Sequence, residues 1–140
     1  MAQRHKDYSS TPLSKKLGIR DAARVVLVNA PEGFPSLLEP LPTGARIGRR
    51  VADATDVVVV FAMSIGDLER RFGTLVSSLA PDGRLWIAWP KKASKIDTDV
   101  TFAAAQQVGL SAGLVDNKSA SITDVFQGLQ FVYRLKDRPH

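Results

Sequence analysis

The chain has 140 residues, 44% of them hydrophobic and 24% charged, with no cysteine and a formal net charge of +5. That size and balance are those of one ordinary globular domain with enough chain to bury a core. The lack of cysteine excludes disulfides, thiolate metal sites and a cysteine nucleophile, and fits a cytoplasmic protein. No apolar run approaches the roughly 20 residues of a membrane span, and the N-terminus has no signal-peptide-like apolar core.

Residues 1–24 hold six basic residues against two acidic ones, so most of the positive excess lies at this end. Residues 1–10 are polar, charged and without periodicity, which predicts a disordered basic arm. Residues 11–140 then form a single domain. Thr11 reads as an N-cap, Pro12 as the first helical residue, and Gly18 as the stop. Leu13 and Leu17 share the docking face of this short helix, with Lys15 and Lys16 outward.

Residues 24–28 are a run of apolar, mostly β-branched residues, too short for a helix. They fit a strand buried on both faces, as in parallel sheets. Apolar residues at 34, 37, 38 and 41 have helical spacing, and Pro40 and Pro42 end that helix early. Residues 43–51 read as a turn and a short edge strand. Residues 56–63 form the strongest strand of the chain, again apolar on both faces.

Ser64 caps the next helix, with Asp67 at the reciprocal capping position. Leu68, Phe72, Leu75, Val76 and Leu79 give that helix one apolar stripe, with Arg70 and Arg71 on the outer face. Pro81-Asp82-Gly83 reads as a turn. Residues 85–89 are a third central strand, ended by Pro90. Asp97 and Asp99 offer caps for a helix over residues 100–108, stopped by Gly109. Residues 112–122 and 129–135 alternate, predicting a hairpin around residues 124–128.

Strands alternating with helices and right-handed crossovers give a three-layer α/β fold: a mostly parallel sheet, helices on both faces, and a C-terminal antiparallel hairpin. In such sheets ligands sit at the carboxyl ends of the strands. There the sequence places Asn29, Glu32 and Gly33 after the first strand, Ser64 after the second long one, and Trp89, Lys91 and Lys92 after the third. Two helix N-termini, at Gly33 and Ser64, add N–H groups and positive dipole ends. Together these residues make a candidate site for phosphate, nucleotide or carboxylate.

Trp86 and Trp89 are an odd number of residues apart and face opposite sides of their strand. One belongs to the core, and Trp89, beside Pro90, is the candidate for stacking a ligand ring. Glu32 is either a base at the cleft mouth or a stabiliser of the following helix. His5 and His140 lie in the tails, and Ser9, Ser10 and Ser36 have no histidine partner, so no catalytic or metal-binding set emerges.

Leu17-Gly18-Ile19-Arg20 ahead of residues 24–28 resembles the entry to the first strand of class I SAM-dependent methyltransferases. Residues 79–87, Leu-Ala-Pro-Asp-Gly-Arg-Leu-Trp-Ile, are similar to the turn before that family's fifth strand, and the terminal hairpin to its last two strands. The resemblance implies a Rossmann-like fold. The helix of residues 11–18, the segment Ala30-Pro31-Glu32-Gly33-Phe34 and the segment Trp89-Pro90-Lys91-Lys92-Ala93-Ser94 together resemble a family of small bacterial proteins of unknown function, which implies no activity.

The methyltransferase pattern is broken in three places. Its glycine-rich loop is here Asn29-Ala30-Pro31-Glu32-Gly33, with one glycine and a proline that lacks an N–H. Only 24 residues, 32 to 55, separate that loop from the strand at Asp56, too few for two strands and two helices. Ala62-Met63-Ser64-Ile65 replaces the catalytic tetrapeptide. The sequence therefore predicts a non-catalytic methyltransferase-like module, without cofactor, that binds a small anionic ligand or a partner protein. The alternatives are a methyltransferase with an altered cosubstrate site and nucleic-acid binding through the basic arm.

Overall fold

A computed structural model describes residues 11–51 and 54–137. The basic arm, His5, Ser9, Ser10 and His140 lie outside the described residues. The chain runs α1 (Leu13–Lys16), β1 (Arg24–Val28), α2 (Phe34–Leu37), β2 (Arg46–Gly48), β3 (Thr55–Phe61), α3 (Ile65–Ser78), β4 (Leu79–Pro90), α4 (Phe102–Ser111), β5 (Leu114–Ser121) and β6 (Phe126–Tyr133). Single 3-10 turns follow β4 at Lys92–Ser94 and β6 at Leu135–Asp137.

The six strands form one sheet in the order β2-β1-β3-β4-β6-β5. The first four are mutually parallel, and β6 is antiparallel to both of its neighbours. The hairpin therefore reverses only β6, and β5 runs with the parallel strands.

Strand alternation divides the core in two. Val26, Val58, Val60, Leu85 and Ile87 pack with Leu68, Phe72 and Leu75 of α3 and Ala105 of α4. Val25, Leu27, Val57 and Val59 face the other way, against Leu17, Phe34 and Leu38 around α1 and α2. That gives the three layers expected, because runs such as Val-Val-Val-Val satisfy both faces at once. On the second face Phe34, Phe61 and Phe126 stack edge to face, at centroid distances of 4.8 and 5.1 Å.

The helix ends differ from expectation for identifiable reasons. Pro12, not Thr11, is the N-cap of α1, and no side chain caps it. Its C-terminus ends at Gly18 as expected, in the left-handed region at φ 85°, with Gly18 N–H donating to Lys15 and Ile19 N–H to Ser14. Those two bonds satisfy carbonyls that the helix end would leave open. α2 is a single turn that stops at Leu37, short of the two prolines.

Pro81-Asp82-Gly83 does not interrupt β4. Leu79 pairs with Thr55 and Arg84 with Val57, so the extra residues are absorbed as a bulge inside the strand. The hairpin loop is residues 122–125, held by Thr123 Oγ1, which accepts the N–H groups of Val125 and Phe126. Gly128 lies within β6, opposite Ala88 and Ala120.

α4 starts two residues later than expected and runs past Gly109. Its cap is Thr101, whose Oγ1 accepts the Ala104 N–H at 3.1 Å, and Gly113 follows its end at φ 90°. Asp99 instead reaches α3, where Oδ1 accepts the Ile65 N–H at 2.8 Å. Asp99→Ala is expected to lower stability by about 1 kcal/mol, the usual worth of a cap. Asp97→Ala, at an exposed position beside it, should stay within about 0.5 kcal/mol. Equal losses in urea denaturation would show that the long-range cap contributes nothing.

Candidate functional site

The chain leaves β1 toward β2 on one side and then crosses to β3 on the other. Consecutive connections diverge at that point, which opens a crevice beyond the strand ends. The loop after β1 fills one wall of it. Asn29 stands at φ 58° and Gly33 at φ 83°, so both ends of the loop are left-handed. Asparagine tolerates that region better than other side chains, so it does here what a glycine does elsewhere.

The loop borders a cavity of about 550 Å³ that is also lined by Ser36, Ile47, Arg49 and Arg71. A second cavity of about 310 Å³ shares Val28, Arg49 and Arg71 with it and adds Arg70. The two arginines therefore stand where the cavities meet. Arg49 directly follows β2, whose pairing with β1 sets its place. Arg71 is carried by α3.

Asp67 organises the second wall. Its carboxylate accepts from Arg71 Nε at 3.0 Å and from Arg70 Nη2. These bonds, Arg71's first and Arg70's second, hold the Asp67 carboxyl below the usual aspartate range. A depressed folded-state value means that the carboxylate's contribution is present above the unfolded pKa and lost as pH falls through the folded one. The expected reciprocal bond from Asp67 back to the cap is replaced by these arginines. Ser64 Oγ still accepts the Asp67 N–H, at 3.2 Å.

Of the residues picked from sequence, Asn29, Glu32 and Gly33 line the larger cavity. Ser64, Trp89, Lys91 and Lys92 do not. At Ser64 the first helical N–H group is already taken by Asp99. Trp89 is 2% exposed and packs edge-on to Phe102, so it presents no face to a ligand. Trp86 is fully buried on the opposite face, and its Nε1–H donates to the Leu17 carbonyl at 3.1 Å. Lys91 Nζ donates to Ser121 Oγ at 2.7 Å, and Lys92 opens the exposed 3-10 turn.

The cleft's cations are thus arginines that periodicity alone does not pick out. Arg71 is four residues after Asp67, a spacing that pairs them on a helix. Among the described residues no group of three His, Cys, Asp or Glu could hold a metal, and no helix is long and apolar enough to cross a membrane.

Solved structures with this architecture include several methyltransferases. One is a SAM-dependent methyltransferase from Aquifex aeolicus, at TM-score 0.57 and 13% identity over 84% of this chain and 85% of that one. Another is a TehB-like SAM-dependent methyltransferase from Corynebacterium glutamicum, at TM-score 0.56 and 12% identity over 95% and 96%. LepI, solved in complex with SAM, matches 91% of this chain at TM-score 0.57 and 13% identity.

The fold is Rossmann-like and methyltransferase-like. This chain spans about half of LepI, 48% of its length. No protein-family model matches the sequence, and no curated protein does. The closer likeness to small bacterial proteins rests on the residues quoted for it alone.

On this methyltransferase-like frame the departures become local. One single-turn helix and one three-residue strand separate the 29–33 loop from β3. β2 ends at Gly48 and is followed by Arg49-Arg50.

Proposed function

We propose that this chain is a non-catalytic methyltransferase-fold module that binds a small anionic ligand in the cleft beside the 29–33 loop. One observation carries the reading: Arg49 and Arg71 line a cleft at the sheet's switch point where, among the described residues, the only lining carboxylate is Glu32. A guanidinium offers paired N–H groups that match a carboxylate or phosphate. Asp67 engages Arg71 through Nε, which leaves the Nη groups for a ligand. The charge after β2 supports an anion over a sugar. An acid there accepts from ribose hydroxyls, and an arginine accommodates a phosphate.

The test is a thermal-shift and calorimetric screen of inorganic phosphate, nucleotides and di- and tricarboxylates. A ligand is expected that loses about tenfold or more in affinity with Arg71→Gln or Arg49→Gln. That is the worth of one charge-assisted hydrogen bond, about 1.5–3 kcal/mol. Ligands indifferent to both substitutions would overturn the reading.

A second reading is a SAM-dependent methyltransferase with an altered cosubstrate site. The left-handed backbone at Asn29 and Gly33 favours it, since the loop keeps two positions of the kind a glycine-rich loop uses. Calorimetry with SAM decides between them. The first reading expects no heat of binding, and micromolar affinity would establish the second.

A further inference from the structure

Three lysines from distant parts of the chain are locked together at a place that shares no residue with the candidate cleft. Lys16 comes from α1, Lys91 from the exit of β4 and Lys118 from β5. Lys16 Nζ donates to the Ser121 carbonyl at 3.3 Å, and Lys91 Nζ donates to Ser121 Oγ at 2.7 Å. Lys118 Nζ donates to the Lys16 carbonyl at 2.7 Å and lies 5.9 Å from the ring centroid of buried Trp86. One serine and one turn of helix thus fix three ammonium groups in one place.

Among the described residues none of the three is paired with a carboxylate, and both ion pairs are made by Asp67 with Arg70 and Arg71. An ammonium has three donors, and each of these lysines uses one in the bonds given. Like charges held this close repel, and an anion placed between them relieves that repulsion. The surroundings share the bias. Residues 8–20, 83–96 and 117–123 contain eight basic residues and no acidic one, against a net charge of +5 for the whole chain. An open cavity of about 470 Å³ lies here, lined by Thr11, Lys15, Lys16, Lys118, Ala120 and Ser121, which supply ammonium and hydroxyl groups and no carboxylate.

We propose that Lys16, Lys91 and Lys118, gathered around Ser121, bind the phosphodiester backbone of a nucleic acid. Ammonium groups are point charges that meet phosphate oxygens without a fixed approach, and a chain of phosphates can engage several of them at once. Among the described residues, the aromatic ring against the cluster is Trp86, which is fully buried and cannot stack a base. Recognition is therefore of backbone charge and not of sequence. The site is separate from the arginine cleft and does not depend on it.

The experiment is fluorescence anisotropy of the full chain with a labelled oligothymidylate of roughly 20 nucleotides, long enough to cover such a patch. Three phosphate contacts predict a slope of log K against log salt of about −2 for a single strand. Lys16→Gln, Lys91→Gln and Lys118→Gln together should abolish that slope, each alone lowering it by about 0.7. Lys→Arg at the same three positions should retain it, and serves as the comparison if the glutamine version does not fold. Arg49→Gln with Arg71→Gln should leave it unchanged. No binding at low salt, or a slope untouched by the three glutamines, overturns the proposal. So does polyglutamate competing as well as the oligonucleotide, since the patch would then be a site for acidic protein.

Discussion

Gly109→Ala is expected to lower the unfolding free energy by about 2–3 kcal/mol, although the same change inside a helix ordinarily raises it by about 1 kcal/mol. The reversal comes from how closely α4 lies on β6. A Cβ at position 109 would stand 2.0 Å from Phe131 Cε2 and 2.3 Å from Cδ2. Phe131 is fully buried and locked in register between Leu85 and Asp116. A ring buried in a close-packed core gives way only at a cost, so the helix, the strand or the ring must shift. Gly73, in the middle of α3, is the internal control, because a Cβ there would meet nothing within 4 Å. Gly73→Ala should therefore stabilise by about 0.5–1 kcal/mol. Urea midpoints of the two variants measure the contrast. Movement of both in the stabilising direction would refute the close approach of α4 to β6.

Trp86→Ala should cost about 4 kcal/mol, the largest effect of any single truncation proposed for this chain. The indole is fully buried, and its N–H is the bond partner of the Leu17 carbonyl. Trp86→Phe separates the two contributions. It keeps most of the buried ring area but leaves the carbonyl at the end of α1 without its donor, and should cost about 2 kcal/mol. Because that bond joins α1 to the central sheet, the phenylalanine variant should also speed hydrogen exchange in residues 13–19 more than in β3. A variant with wild-type exchange in α1 would show that the helix is held by Leu17 packing alone.

These two residues mark where the sequence was readable and where it was not. The strands β1 and β3 are legible because unbroken β-branched runs admit one arrangement, burial on both faces. The opposed faces of Trp86 and Trp89 follow from strand geometry and hold. Gly109 reads as a helix stop because glycine favours helix ends, and only the ring packed against it shows that it serves contact instead. Asp99 looks like a cap for the helix that follows it, but its partner is the Ile65 N–H, 34 residues earlier. Lys91 looks free, but Ser121, 30 residues later, accepts a hydrogen bond from its Nζ.

The site divides along the same line. The 29–33 loop is local, so the cavity wall it forms can be read from adjacent residues. Arg49 depends on β2 pairing with β1, and Arg71 on the phase of α3 and on Asp67, so their meeting at one cleft is a product of tertiary structure. Charge runs identify which residues are basic. They do not say which of them share a cavity.

The placement of β6 sets an order of assembly. Its strand is the last of the six in the chain, yet it sits between β4 and β5. β5 pairs with β6 alone in the sheet, so it joins the other strands only through the strand that follows it. Before β6 docks, β4 offers the open edge opposite Phe126–Phe131, flanked by Trp86 and Trp89. An unpaired apolar edge is a template for association with another chain. The hairpin must therefore close and insert as one unit, and the interval before it does is when this protein is most exposed to aggregation.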